Sequence, residues 1–289
     1  MHPPDTTRPP TTEQSDARCA VTLHRSVRFC INPDGSEGGS NGYNARPGMT
    51  GLGRYYELTL SCTGSPDPAT GYLVDIHALD RVAREHLIPR IASQCERAPS
   101  TDPRTLMPEL WRLASAGLEQ QLSVLEWKLT PATSMTMNTE TTTNAVLIRQ
   151  RYEFSASHRL HADTLDDETN RRVFGKCNNP NGHGHNYRVE PAFLIPLASS
   201  AGDHASSGRI DTLVEGCILD ELDHKHLNTD CPAFDQSAGG VIPSVENIAR
   251  YCYEQLQREA GTLAPGARLH SITVWETDRT SCTYPAQRA

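Results

Sequence analysis

The sequence has no apolar run of membrane-spanning length, no cluster of basic residues and no CxxC pair among its nine cysteines. Each absence excludes a class. Without about twenty consecutive apolar residues the chain is not expected to cross a bilayer. The start Met1-His2-Pro3-Pro4-Asp5-Thr6-Thr7-Arg8 also lacks the apolar centre of a secretion signal. A formal charge of −8 without a basic patch argues against nucleic acid or an anionic membrane as partner. A polyanionic substrate would have to find its positive charge locally. Cysteines that are odd in number and scattered exclude a disulfide framework and a ribbon-type zinc site, so most thiols are expected free, reduced and buried. The expectation is a soluble protein of the cytoplasm.

What is present is enough for a sizeable core: 289 residues, 37% of them apolar. Residues 1–16 are rich in Pro, Thr, Asp and Glu and read as a loose tail. A polar stretch at 138–145 reads as a linker between a first unit, 17–137, and a second, 146–289. In the first, Val21, Leu23, Val27 and Phe29 share one parity, as do Tyr56, Leu58, Leu60 and Cys62, which predicts half-buried strands. Asp75–Ser93 has helical spacing, with Pro89 expected to kink or end it. Leu106, Leu110 and Leu113 mark another helix, and Leu122–Leu129 another strand. The second unit repeats this order. Val146–Phe154 and Tyr187–Leu197 read as strands, Ser244 caps a helix bearing Ile248, Cys252 and Leu256, and Leu269–Glu276 is a closing strand. The halves read as weak copies of one ββααββ unit, an α+β fold. Gly51-Leu52-Gly53-Arg54-Tyr55 answers His183-Gly184-His185-Asn186-Tyr187 across them.

The densest polar cluster runs from His158 to His185 and holds His158, Cys177, His183 and His185 within 28 residues. On a strand, His183 and His185 project to one face, and His158 from a neighbouring strand would complete a three-histidine zinc site with an open fourth position, as catalysis requires. Two plainer readings stand beside it: a closed structural zinc with Cys177 as fourth ligand, and a chance HxH pair facing water. Cys177 close to a dication is a candidate base, since nearby positive charge favours the thiolate. Asp223-His224 offers a second acid/base group with a carboxylate to orient the imidazole, or else a charged turn. His226 reads as a surface residue. Glu276, a carboxylate on an apolar strand, could accept two hydrogen bonds from paired N–H groups of a ligand, or else be an exposed strand end.

Four ordered stretches, Phe154–Leu160, Phe174–Tyr187, Leu222–Asn228 and Val274–Thr277, resemble the 6-pyruvoyl-tetrahydropterin synthase family. The resemblance covers about residues 148–284. It implies the T-fold, whose ββααββ units associate edge to edge into barrels with helices on one face. It also implies zinc-dependent conversion of 7,8-dihydroneopterin triphosphate to 6-pyruvoyl-tetrahydropterin with loss of triphosphate. Carried over by position, His158, His183 and His185 would bind zinc, Cys177 would be the base, Asp223 and His224 its proton-transfer partners, and Glu276 the pterin anchor. Ser244 would contact the pterin edge. Pro191 departs from the pattern and belongs at an edge or bulge; the segment 211–223 is short for the first helix. The similar 6-carboxy-tetrahydropterin synthase, and a non-catalytic pterin- or zinc-binding scaffold, are the alternatives. In the first unit Gly51 and Gly53 stand where HxH would be, so it is expected to bind no zinc and to serve assembly. Active sites at subunit interfaces imply a homo-oligomer, a trimer of two-unit chains.

Overall fold

The structure, a computed structural model, describes residues 20–36, 48–118, 121–139, 145–197 and 207–286. The tail 1–16 and most of the linker 138–145 lie outside them. In chain order the elements are β1 (Val21–Ile31), β2 (Arg54–Gly64), α1 (Ile76–Arg81), α2 (Ile88–Arg97), α3 (Met107–Gly117), β3 (Leu122–Lys128), β4 (Thr133–Asn138), β5 (Ala145–Gln150), β6 (Tyr152–His158), α4 (Asp167–Phe174), β7 (His183–Pro196), α5 (Ser207–Val214), α6 (Asp220–Leu222), β8 (Lys225–His226), α7 (Leu227–Asp230), α8 (Val245–Glu259), β9 (Arg268–Thr277) and β10 (Thr280–Tyr284). This is a mixed α+β fold with one sheet running through both halves. The path is β1-β2-β3-β4-β5-β7, with β6 continuing beside β7, β8 parallel to β6, and β9 and β10 on the other side of β7.

The period-2 pattern explains the layering. One face carries Val27, Phe29, Leu58, Leu60, Leu125, Trp127, Ile148, Tyr187 and Val274, all buried in a single core with Leu79, Leu87 and Ile91 of the first half and Ile248, Cys252 and Leu256 of α8. The opposite parity is polar. Glu57 there bridges Arg28 (2.9 Å) and Lys128 (2.8 Å). Hydroxyl pairs such as Ser26–Thr59 (2.9 Å) and Thr273–Thr283 (2.8 Å) line neighbouring strands. Burying a leucine or phenylalanine side chain contributes about 1.5–3 kcal/mol, so the apolar face decides which side takes the helices.

Several expectations need correction. Pro89 neither ends nor breaks its helix: α1 runs through a π-helical turn, Val82–Leu87, straight into α2, where Pro89 sits in the first turn. A wide turn placed just upstream relieves the clash between the proline ring and the preceding turn. The segment 211–223 is likewise the end of a longer helical run that starts at Ser207 and passes through a π turn at Glu215–Leu219. Strands β4 and β10 were not legible as strands; Thr133–Asn138 is buried on both faces and so shows no alternation. The strand expected at 146–154 is two pieces. Arg149 faces Ala192 and Tyr152 faces Val189 in unbroken register, which sets Gln150 opposite Pro191. A proline has no N–H for the ladder, so a central strand keeps its path but loses pairing there.

Candidate active site

Strands β6 and β7 pair His158 with His183, Ala156 with His185 and Phe154 with Tyr187. Facing residues of an antiparallel pair project to one side, so the three imidazoles meet. Their ligating nitrogens lie within 4.8 Å of one another, and the Nε2 atoms of His158 and His183 are 3.2 Å apart. A tetrahedral ion with bonds of about 2.0–2.1 Å would space its nitrogens about 3.3 Å apart. Gly182 opens the strand at φ +68, where an added Cβ would come within 2.9 Å of the His158 carbonyl oxygen. Only glycine tolerates both conditions.

Burial around His158 and His185 disfavours the charged imidazole. His158 is wholly buried and donates its Nδ1–H to the Pro243 carbonyl at 2.7 Å, which leaves Nε2 free to ligate. Burial pushes its pKa down to about 4, the Pro243 bond opposing and the neighbouring histidines assisting. Burial also lowers His185, against the opposing charge of Glu276. His185 Nε2 is shut away from water without a hydrogen-bond partner, an orphan that an ion would satisfy. Glu276 Oε1 lies 3.4 Å from His158 Nε2 and 3.8 Å from His185 Nε2. The donor set therefore fits a divalent ion with an open position. Tyr187, third on the same strand face, puts its hydroxyl 3.3 Å from His158 Nδ1. Its phenol is raised by burial first, then by the charges of Glu276 and Cys177. Sequence reading passed over Tyr187, although the 183, 185, 187 alternation marks it; the Pro243 carbonyl, a backbone group, leaves no such mark.

Cys177 sits in the short helical turn Gly175–Asn178, whose backbone is tied to the strand end by Leu160 N–H donating to the Cys177 carbonyl at 2.9 Å. Its sulfur is not among the ligand atoms gathered around the triad, which counts against the closed structural site. Ser244 caps α8, its hydroxyl accepting from Asn247 N–H at 3.4 Å, and follows directly on the Pro243 carbonyl that holds His158.

Asp223 and His224 are joined to each other but not to the triad. Asp223 Oδ2 is 2.8 Å from His224 Nδ1, while Oδ1 accepts from Ser155 N–H at 2.8 Å. The Ser155 bond and then His224 hold this carboxyl below the usual carboxylate range. His224 is 83% exposed and adopts φ +56, the only non-glycine left-handed residue among those described. Such backbone conformations concentrate at functional sites. His224 shares a shallow recess with Ser155, Ser157 and Asn186, whose parity sends their side chains away from the triad. His226, expected at the surface, is half-buried instead: its Nδ1 is closed off without a partner and its Nε2 lies close to Gly182.

The first half has no counterpart of the triad among the described residues. Phe29 faces Tyr56 and Phe154 faces Tyr187, and Gly51 and Gly182 both adopt positive φ, at +53 and +68.

The three histidines, one buried and two half-buried, with a carboxylate beside them on the sheet of an α+β fold, form a cluster that could hold a metal ion. The family model described as 6-pyruvoyl tetrahydropterin synthase matches residues 147–287. Human 6-pyruvoyl tetrahydrobiopterin synthase is 37% identical over 140 residues, 48% of this chain and 91% of that protein. The Drosophila melanogaster protein of the same name is 34% identical over 137 residues, 47% of this chain and 77% of that one. The solved structure of Caenorhabditis elegans 6-pyruvoyl tetrahydropterin synthase, 30% identical, covers 50% of this chain and 96% of that one with a TM-score of 0.42. The chain belongs to the 6-pyruvoyl tetrahydropterin synthase family. It is an enzyme, a carbon–oxygen lyase of that family's kind.

Proposed function

We propose that this protein converts 7,8-dihydroneopterin triphosphate to 6-pyruvoyl-tetrahydropterin, eliminating triphosphate at a zinc site formed by His158, His183 and His185. The observation that carries the reading is the gathering of three imidazoles into one open donor set in a chain of this family. A bound zinc would supply Lewis acidity toward the side-chain hydroxyls of the substrate. Cys177 takes a proton from the activated side-chain carbon, and the Asp223–His224 pair moves protons on the same side chain. Glu276 accepts hydrogen bonds from the pterin amino and ring N–H groups, with Ser244 at the pterin edge. No external oxidant enters, because ring and side chain exchange oxidation levels.

Within one chain the dyad faces away from the triad, which supports a homo-oligomer in which a second copy brings its His224 to the substrate. We read the two halves as tandem T-fold units, 17–137 and 146–289, the first without metal and serving assembly, in a trimeric barrel assembly in the cytoplasm. Mass spectrometry after incubation with 7,8-dihydroneopterin triphosphate tests the reaction. A pyruvoyl product with released triphosphate supports it, whereas released acetaldehyde means the 6-carboxy product and overturns it.

A further inference from the structure

We propose that the recess beside the Asp223–His224 dyad is the subsite for the substrate's triphosphate, with Lys225 as its principal charge. The proposal rests on the lyase reading above. The recess has a volume of about 620 Å³ and is lined by Ser155, Ser157, Asn186, His224, Lys225 and His226, with Asp230 the one carboxylate. In a chain of net charge −8, a tail of three phosphates needs a local cation and N–H or O–H donors; Lys225 is the one lysine or arginine of the lining, and Ser157 and Asn186 add side-chain donors.

The charges are not equally available. Asp223 is held by Ser155 N–H and His224. Asp230 accepts from His226 N–H at 2.7 Å and from the Thr229 hydroxyl at 3.0 Å, and the His226 bond and then Thr229 lower its pKa. Lys225 has no salt bridge or hydrogen-bonded side-chain partner among the described residues, its charge acting only through space on Asp230 and Cys231, and the Ser157 hydroxyl has no hydrogen-bond partner there either. Arg159, the cation that follows His158, is by contrast engaged by the Asn178 carbonyl (3.3 Å) and by His161 (3.2 Å). Strand pairing fixes the placement: Lys225 lies opposite Ala156 and His226 opposite Ser157, so the ammonium is carried on the sheet edge and not on a loop.

Substrate chemistry supplies the second half of the argument. The dyad works on the short carbon chain that also bears the phosphates, so whatever flanks the dyad meets the phosphate end. The pterin ring and the hydroxyls next to it stay with Glu276 and the triad, where the Glu276 carboxylate would repel a polyanion. The two ends of the substrate thus meet opposite faces of the sheet, contributed by two copies.

Titration calorimetry of inorganic triphosphate into the metal-loaded parent, Lys225→Met and Lys225→Arg tests the subsite without requiring turnover. Losing one charge-assisted contact is expected to weaken Lys225→Met about tenfold or more, with Lys225→Arg within about threefold of the parent and equal metal content in all three. With 7,8-dihydroneopterin triphosphate, Lys225→Met is expected to raise KM by more than it lowers kcat. Equal affinity of parent and Lys225→Met for inorganic triphosphate overturns the subsite, because the anion then binds elsewhere, for instance on the metal. Triphosphate bound through Lys225 by a protein that leaves the pterin unconverted refutes the lyase reading alone.

Discussion

His158 and Pro243 are linked by a 2.7 Å hydrogen bond in which the imidazole donates and the backbone carbonyl accepts. That carbonyl stands one residue before Ser244, the cap of a 15-residue helix. A proposed metal ligand and a helix start are therefore mechanically joined across 85 residues of chain. Removing the metal with a chelator is expected to speed amide hydrogen exchange at residues 245–248 relative to 252–256. Unchanged exchange there would break the link between metal and helix.

His158 titrates at about 4 because burial disfavours its charged form, below the roughly 6.5 of an unfolded histidine. Between those values the unfolded chain binds more protons, so acid favours unfolding and stability rises with pH. The metal-free protein should lose up to about 3 kcal/mol from this group as pH falls from 6.5 through 4. Urea midpoints across that range measure it; His158→Gln should flatten the slope.

Cys177→Ala is expected to keep its metal and to lose turnover by a factor of roughly 10² to 10⁴, the range of a removed base. Metal analysis beside product formation reads both. Loss of the metal would instead restore sulfur to the coordination sphere.

If triad and dyad come from different copies, Cys177→Ala and His224→Ala should each be inactive alone, yet regain a fraction of activity when unfolded together and refolded as mixed oligomers. A mixture as dead as its components would mean that one chain holds the whole site.

Gly182→Ala should cost more than 1 kcal/mol and weaken metal binding. An L-residue at φ +68 is strained, and the added Cβ meets the His158 carbonyl oxygen. Thermal midpoint and metal affinity should fall together.

Parity made much of the site readable: His158, His183 and His185 announce one face through strand spacing, and the core positions Leu58, Leu60, Ile248 and Cys252 follow from period 2 or 3.6. What stayed hidden has physical causes. Thr133–Asn138 is buried on both sides, so no alternation betrays it. The passage of a helix through Pro89 depends on a π turn that no residue type encodes. The separation of His224 from the triad is a matter of which way a turn leaves the sheet edge, and sequence motifs carry no information about sidedness.

The ten strands fall into eight columns, because β5 and β6 are collinear on either side of Pro191 and β8 is a two-residue addition beside β6. Only β1 and β10 then remain as full-length free borders among the described residues. Any cylinder closed by whole chains through those borders must grow in steps of eight, so its circumference can be sixteen or twenty-four columns wide but never twelve.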